Sequence, residues 1–526
     1  GALAAFALAM KAAARLGRRR FLRMEVKPDI VVLQNVTFTP AEMQDVAAVV
    51  GRDLFTDELR ETLLQFEQAK NFGSLIVPKL RDPAETLRVV AARDFGGDLL
   101  LKEVQERVIA ALRMAEALSP KYHVVVANPP YMGGKGMNGA LQNFAKKTYP
   151  DSKSDLFSTF IERAQSLSTH LGFQALVTME SWMFLSSFEK LRIKLLTNAH
   201  LSSLMHMPYL GKGGTSMGIN FGTSAFVICK GGDVSGNGIF QCLRYYEAND
   251  DGEPKSYPVE NERFNIVDPE VFASMPGSPI AYWLSERMIA MIRDGERIGQ
   301  HLDSKQGLAT ADNNRFMRLW HETSLGNVGF SLDSSKAAKE SKLKWFPINK
   351  GGQFRRWYGN HEYIVNWQDD GREIREYVTE RYPYLNGNID YVIKDRGRFF
   401  NPSLSWSDIT TRASSFRYYP KGFLYDATGH SAFTDKEADR IRALAFCNTN
   451  ICDRISRALN PTIHFHIGYF DSLPWPKGWD PDTDAKIVDA LVELSESDWD
   501  AYETSWDFTT LPLLSPDHRG ETLEDS

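Results

Sequence analysis

Residues 122–131, Tyr-His-Val-Val-Val-Ala-Asn-Pro-Pro-Tyr, constrain the fold of this chain more than any other ten. Val124 to Ala127 are small and apolar, as a buried strand of a parallel sheet requires. Pro129 and Pro130 have no amide hydrogen to give a strand ladder, so the strand must end there. Asn128 is then placed at the carboxyl end of a central strand, where open α/β sheets hold their ligands.

The flanking sequence supplies the rest of such a sheet. Helical spacing over residues 43–50, 57–70, 99–117, 156–167 and 188–197 alternates with apolar runs over 30–34, 74–77, 174–178, 201–206 and 223–230. That alternation predicts an α/β fold with a doubly wound, mostly parallel sheet. The last strand, around Ser224–Cys229, is able to pair antiparallel as an edge hairpin. A glycine-rich stretch over 231–238 closes the first domain, residues 1–235. Residues 236–300 read as a connector, 301–475 as an aromatic-rich mixed α+β domain, and 476–526 as an acidic helical segment.

A length of 526 residues calls for several domains. No apolar run reaches the roughly 18 residues that span a bilayer. Four cysteines without a Cys-x-x-Cys pair fit a reducing cytoplasm. His464 and His466 alone are too few for a zinc site, so no metal is expected. The net charge of −6 is unevenly spread: residues 336–425 hold 16 Lys+Arg against 10 Asp+Glu, and residues 471–526 hold 3 against 15. That asymmetry is compatible with a DNA-facing module followed by a solvated or partner-facing tail, and equally with ordinary solvated faces. The chain opens without Met on an uncapped helical pattern, Gly-Ala-Leu-Ala-Ala-Phe, and is expected to be an internal piece of a larger protein.

Asn-Pro-Pro-Tyr at 128–131 resembles the catalytic motif of amino-methyltransferases that use S-adenosylmethionine, above all the gamma-class DNA adenine-N6 enzymes. Later segments keep that family's order: the glycine-containing loop 132–137, Ser-Asp-Leu-Phe at 154–157, Gly172–Thr178, and Asn-Phe-Gly-Thr-Ser-Ala-Phe at 220–226. The resemblance implies that the Asn128 side-chain oxygen and the Pro129 carbonyl accept from the target amine, with Pro130 completing the turn. It implies that Tyr131 and Phe221 stack on the flipped base, with Asn71 and Phe72 near the cofactor. The family's glycine-rich cofactor loop does not occur in the 526 residues, and Gly211-Lys-Gly-Gly214 does not replace it.

Within 301–475, the segments 306–316, 345–348 and 460–475 resemble parts of DNA-recognition domains fused to methyltransferases. Arg355, Arg356, Arg396, Arg398, Arg412, Arg417 and Lys421, interleaved with aromatics, are the candidate contacts to double-stranded DNA. With the Trp-rich stretch 497–508, nearly the whole chain resembles adenine-specific methyltransferases of BREX phage-exclusion systems, which implies host-DNA marking alongside other proteins of the system. Alternatives are the methyltransferase half of a type IIG restriction enzyme, a DNA-binding or assembly subunit that no longer catalyses, and a protein glutamine methyltransferase.

Overall fold

The structure is a computed structural model. It describes all residues except 1, 22, 24–27, 209–220, 232–234, 250–253, 395, 410–414, 461–463, 515–521 and 523–526. The chain divides into two compact units, Gly1–Glu270 and Val271–Ser526. It is a mixed α/β protein with several sheets. Among the described residues, no helix is long and apolar enough to cross a membrane.

The first unit is built on one six-stranded sheet: β1 (Tyr122–Ala127), β2 (Ser168–Met179), β3 (Ala199–Met207), β4 (Thr223–Lys230), β5 (Gly238–Cys242) and β6 (Phe264–Val267). Their spatial order is β1-β2-β4-β3-β5-β6. β1 runs parallel to β2 and β3 to β5; β4 is antiparallel to both β2 and β3, and β6 to β5. The sheet is therefore mixed rather than mostly parallel. β4 is antiparallel as the sequence allows, but it lies between β2 and β3 and not at an edge. Its alternating inward residues, Phe226 and Ile228, are buried accordingly.

The expectation of a buried strand at 124–127 is corrected. β1 is an edge strand of the sheet, and Val124 and Val126 are 59% and 74% exposed. Its composition suits a covered position, and the described residues leave it uncovered.

Helices Glu42–Val50, Asp57–Gln65, Pro83–Ala91 and Leu99–Leu118 pack around Val46, Leu59, Phe66, Val90, Val108 and Leu112. Side-chain N-caps by Thr56, Asp82 and Asp98 fix three of their starts. Neither strand expected in this region forms. Residues 30–34 run without a ladder, the Gln34 amide meeting the Met114 sulfur at 3.3 Å. Residues 74–77 include a 3₁₀ turn, Gly73–Leu75, and side chains take their carbonyls. The buried Arg163 donates to the carbonyls of Ser74 and Ile76 at 2.8 and 2.9 Å, and the Tyr149 hydroxyl donates to that of Leu75 at 2.6 Å.

The second unit contains two four-stranded sheets. Its strands are β7 (Asp303–Lys305), β8 (Met317–Leu319), β9 (Trp345–Asn349), β10 (Tyr363–Asn366), β11 (Ser403–Ser407), β12 (Phe416–Tyr419), β13 (Leu424–Tyr425) and β14 (Gly429–Phe433). One sheet has the order β13-β9-β10-β8, the other β12-β11-β14-β7. Phe316, Phe346, Val365, Trp367, Phe400, Leu424 and Phe433 share one core. The buried Asn349 amide, on β9, donates to the Gly429 carbonyl at 3.1 Å and so joins the sheets through a polar contact.

Residues 236–300 are shared between the two units, since β5 and β6 extend the first sheet. The acidic C-terminal stretch is not a free tail as far as its described residues go. From helix Asp484–Asp500 onward it lies on the second unit: Asp498 pairs with Arg355 at 2.9 Å, Trp499 is buried, and the Trp320 indole donates to the Thr504 carbonyl at 2.9 Å.

Candidate active site

At the carboxyl end of β1 the chain turns through Asn128, Pro129, Pro130 and Tyr131. Asn128 is exposed and Pro129 buried. The Tyr131 hydroxyl lies 3.2 Å from the Asn128 side-chain oxygen and 3.2 Å from the Val177 carbonyl on β2. Burial raises the pKa of this phenol, which keeps it protonated as a donor.

Two elements hold the turn in place. Asp155 caps the helix Leu156–Leu167 and accepts from the Met132 amide at 3.0 Å, while the Leu156 amide returns to the Met132 carbonyl at 3.1 Å. Burial raises the Asp155 pKa against the opposing effect of these backbone donors. The Tyr131 ring meets Phe157 edge-on at 6.3 Å.

Phe221 and Tyr131 do come together, but edge-to-face, with centroids 5.4 Å apart and planes at 85°. They do not form a parallel slot. A planar base stacked on Tyr131 requires the Phe221 ring to rotate or withdraw. Asn220 and the Gly211–Gly214 stretch lie outside the described residues.

Behind Phe221 is a group that sequence reasoning missed. The Glu180 amide donates to the Gly222 carbonyl at 2.9 Å, and the Glu180 carboxylate meets the buried His206 Nε2 at 2.6 Å. A Cβ on Gly222 would sit 2.0 Å from the Glu180 carboxyl carbon. A side chain after Phe221 would therefore displace the end of Glu180, which its contact with His206 holds in place.

Asn71 and Phe72 are engaged with neighbouring protein groups. Asn71 and Asn138 exchange amide hydrogen bonds at 2.9 and 3.2 Å, and Asn138 caps the helix Gly139–Thr148. Phe72 stacks on Phe144 at 4.2 Å and 9°. The pair fastens the 65–76 segment to the helix that follows the 128–137 loop. The polar atoms of the Asn71 side chain are thus shared with Asn138 at the surface.

In the second unit the candidate DNA contacts separate by environment. Arg417 is withdrawn from the set, because it is 0% exposed and bonds the Arg355 carbonyl and the Ser407 and Ser415 hydroxyls. Its work is internal. Arg355 is covered by Asp498 and the Trp499 ring, 5.0 Å away. Arg356 lies over Phe354 at 5.5 Å. Arg396 pairs with Asp370 and Asp390, and Arg398 with Asp303 and Asp435, all at 3.3–3.8 Å and partly exposed. Lys421 is exposed at the rim of a cavity of about 460 Å³ lined also by Tyr358, His361, Glu496 and Trp506. Arg412 lies outside the described residues.

Comparison with known proteins agrees with the sequence resemblance. The family model described as Eco57I restriction-modification methylase matches residues 54–210. The adenine-specific methyltransferase PglX of Lacticaseibacillus casei (strain Zhang) is 33% identical over 99% of this chain and 43% of its own length. The adenine-specific methyltransferase BrxX of Escherichia coli O9:H4 (strain HS) is 34% identical over 98% of this chain and 43% of its own. The chain thus spans 43% of the length of either relative. Among solved structures, the type IIL restriction-modification enzyme MmeI in complex with DNA aligns over 94% of this chain and 75% of its own, with a TM-score of 0.46 and 11% identity.

Proposed function

We propose that this chain, which is related along nearly its whole length to adenine-specific methyltransferases of the PglX and BrxX type, carries the amine-handling and DNA-reading parts of a site-specific DNA adenine-N6 methyltransferase. The observation that carries this reading is the presentation of Asn128 at the end of β1, exposed, with Tyr131 tied back to its side-chain oxygen.

The chemistry needs that arrangement. The lone pair of an exocyclic amine is delocalised into its ring, so the amine attacks poorly. Acceptors at its two hydrogens localise the lone pair on nitrogen and aim it. Asn128 Oδ1 is one acceptor and the Pro129 carbonyl the other. An adenine reaches them only by leaving the duplex stack, and Tyr131 offers it a face. Phe221 moves from its edge-on position to cover the opposite face.

The methyl donor in this reading is S-adenosylmethionine. No residues described above form its site, and no step is drawn through it. Upstream strands of a doubly wound, Rossmann-like methyltransferase sheet would add beside β1. Its apolar edge, unpaired among the described residues, supports that.

Residues 301–475 read the DNA sequence in this proposal. Arg396 and Arg398, partly exposed and paired with carboxylates, exchange those partners for phosphate or base edges. The biological role is marking of host DNA in phage exclusion, with other proteins of that system as partners. The test is methylome sequencing of cells carrying the intact gene, its Asn128→Ala variant, and a version whose residues 301–475 come from a relative with a different site. One methylated adenine motif is expected, absent with Asn128→Ala and switched by the exchange. A motif that persists in either variant overturns the corresponding assignment.

A further inference from the structure

Sequence counting found only His464 and His466 and predicted no metal, but the fold of the second unit adds two residues distant in the chain. Asp408 follows β11 directly, and His430 lies on β14, the neighbour of β11. The Phe465 amide donates to the Asp408 carbonyl at 2.7 Å, and the Trp406 indole donates to the Phe465 carbonyl at 2.7 Å. Phe465 turns into the core beside Trp406 and Phe416. In an extended segment, alternate side chains share a side. His464 and His466 accordingly lie together opposite Phe465, with rings 5.6 Å apart and nearly parallel, both against the Asp408 carboxylate.

The carboxylate is buried, and so is His430, at 1% exposure. Asp408 Oδ1 has no hydrogen-bond partner, and neither ring nitrogen of His430 has one. Yet His430 Nε2 lies 3.4 Å, and His466 Nδ1 3.1 Å, from that same oxygen. One ligand atom each from Asp408, His430 and His466 falls within 4.8 Å of the others. A tetrahedral ion with bonds of 2.0–2.2 Å separates its ligands by about 3.3 Å. The two distances to Oδ1 match that edge. Buried polar atoms left unpaired are costly, and an ion here would satisfy two of them, Asp408 Oδ1 and His430 Nε2, at once.

We propose that Asp408 Oδ1, His430 Nε2 and His466 Nδ1 bind one divalent ion of the zinc class. Two imidazoles, which are borderline donors, outnumber the one hard carboxylate, a set suited to zinc, cobalt or nickel rather than to calcium or magnesium. The His464 Nδ1, 3.0 Å from Asp408 Oδ2, orients the carboxylate from its other oxygen. His466 is exposed, so the fourth position opens to water. The ion would clip together three parts of the second unit: the end of β11, β14, and the segment leading into helix Ile467–Asp471.

The test uses the 526-residue chain without a histidine tag, stripped with a chelator and then titrated with zinc chloride. Calorimetry should show one saturable equivalent, and the thermal unfolding midpoint should rise with it. Cobalt chloride should give the visible absorption of a low-symmetry four- or five-coordinate site. Asp408→Asn and His466→Gln should abolish the equivalent, whereas His464→Gln should weaken it by about 10–100-fold. His466 is exposed, so its variant should keep the circular dichroism of the stripped parent. A parent chain that takes up no stoichiometric zinc overturns the site, and so does a folded His466→Gln variant that binds zinc as tightly as the parent.

Discussion

The Tyr131 hydroxyl lies 3.2 Å from the very oxygen of Asn128 that a target amine would use. The two claims on that oxygen differ in weight. A phenol hydrogen on one lone pair orients the amide and leaves the other lone pair for substrate. Asn128→Ala in the intact enzyme should lower the methylation rate by about 10²–10³-fold with DNA affinity nearly unchanged. Tyr131→Phe keeps the ring and loses only the tether, so it should cost well under that. Single-turnover methylation beside DNA-binding isotherms separates the two effects. A near-parental rate for Asn128→Ala sinks the assignment.

Gly222→Ala should be harmful for a reason unrelated to backbone freedom. The new methyl would meet the Glu180 carboxyl carbon at 2.0 Å, so either the carboxylate or the Phe221 segment must move. The expected loss of stability is about 1–3 kcal/mol. The double variant Glu180→Ala/Gly222→Ala should recover most of it. Denaturant midpoints for the single and double variants check the prediction. Equal midpoints for the two would show that the carboxylate is not the obstacle.

Calorimetric titration of the 526-residue chain with S-adenosylmethionine should give little or no heat of binding. The glycine-rich cofactor loop of the family does not occur in the 526 residues, and Asn71 and Phe72 would supply only a small part of such a site. Micromolar binding would mean that another part of this chain serves as the cofactor site.

His361 gives the second unit a pH dependence. It is wholly buried among Tyr358, Tyr419, Phe423 and Trp506, and burial, helped by the nearby Arg417, pushes its pKa down to about 3. An ordinary histidine titrates near 6.5. Between those values the unfolded chain binds a proton that the folded chain refuses. Stability therefore falls as the pH drops below about 6.5, by up to about 1.4 kcal/mol per pH unit, and levels off near 3. In His361→Phe this component of the slope should vanish, although the variant also changes packing. Unfolding midpoints at pH 7.5, 6.0 and 5.0 measure it. Parallel profiles for parent and variant would rule out His361 as the source.

Much of the first unit was legible because its signals are local. The helix Leu156–Leu167 and the strand Thr223–Lys230 match the boundaries read from periodicity, and the proline stop after Asn128 is covalent in origin. What was not legible depends on partners far along the chain. Residues 74–77 have the composition of a strand, but Arg163, almost ninety residues later, takes the carbonyls of Ser74 and Ile76, while Tyr149 and Gln65 take those of Leu75 and Val77. β4 was read as an edge because nothing in its own sequence states which strands flank it. The Glu180–His206 pair becomes visible only once β2 and β3 flank β4 and end on the same side of the sheet. Arg417 looked like its exposed neighbours, since an arginine that solvates a core joint and one that grips a phosphate share the same letter. Asp155 did carry a signal, an acidic cap directly before an apolar helix.

The uncovered β1 edge also governs how this chain behaves in a tube. Val124 and Val126 stand exposed on a strand whose outer side, among the described residues, pairs with no other strand. Such an edge templates another strand, and at high concentration the available strand is the β1 of a second molecule. Concentrated solutions of the 526-residue chain should therefore self-associate through this edge, and a charge at the most exposed position, Val126→Lys, should keep them dispersed without touching Asn128.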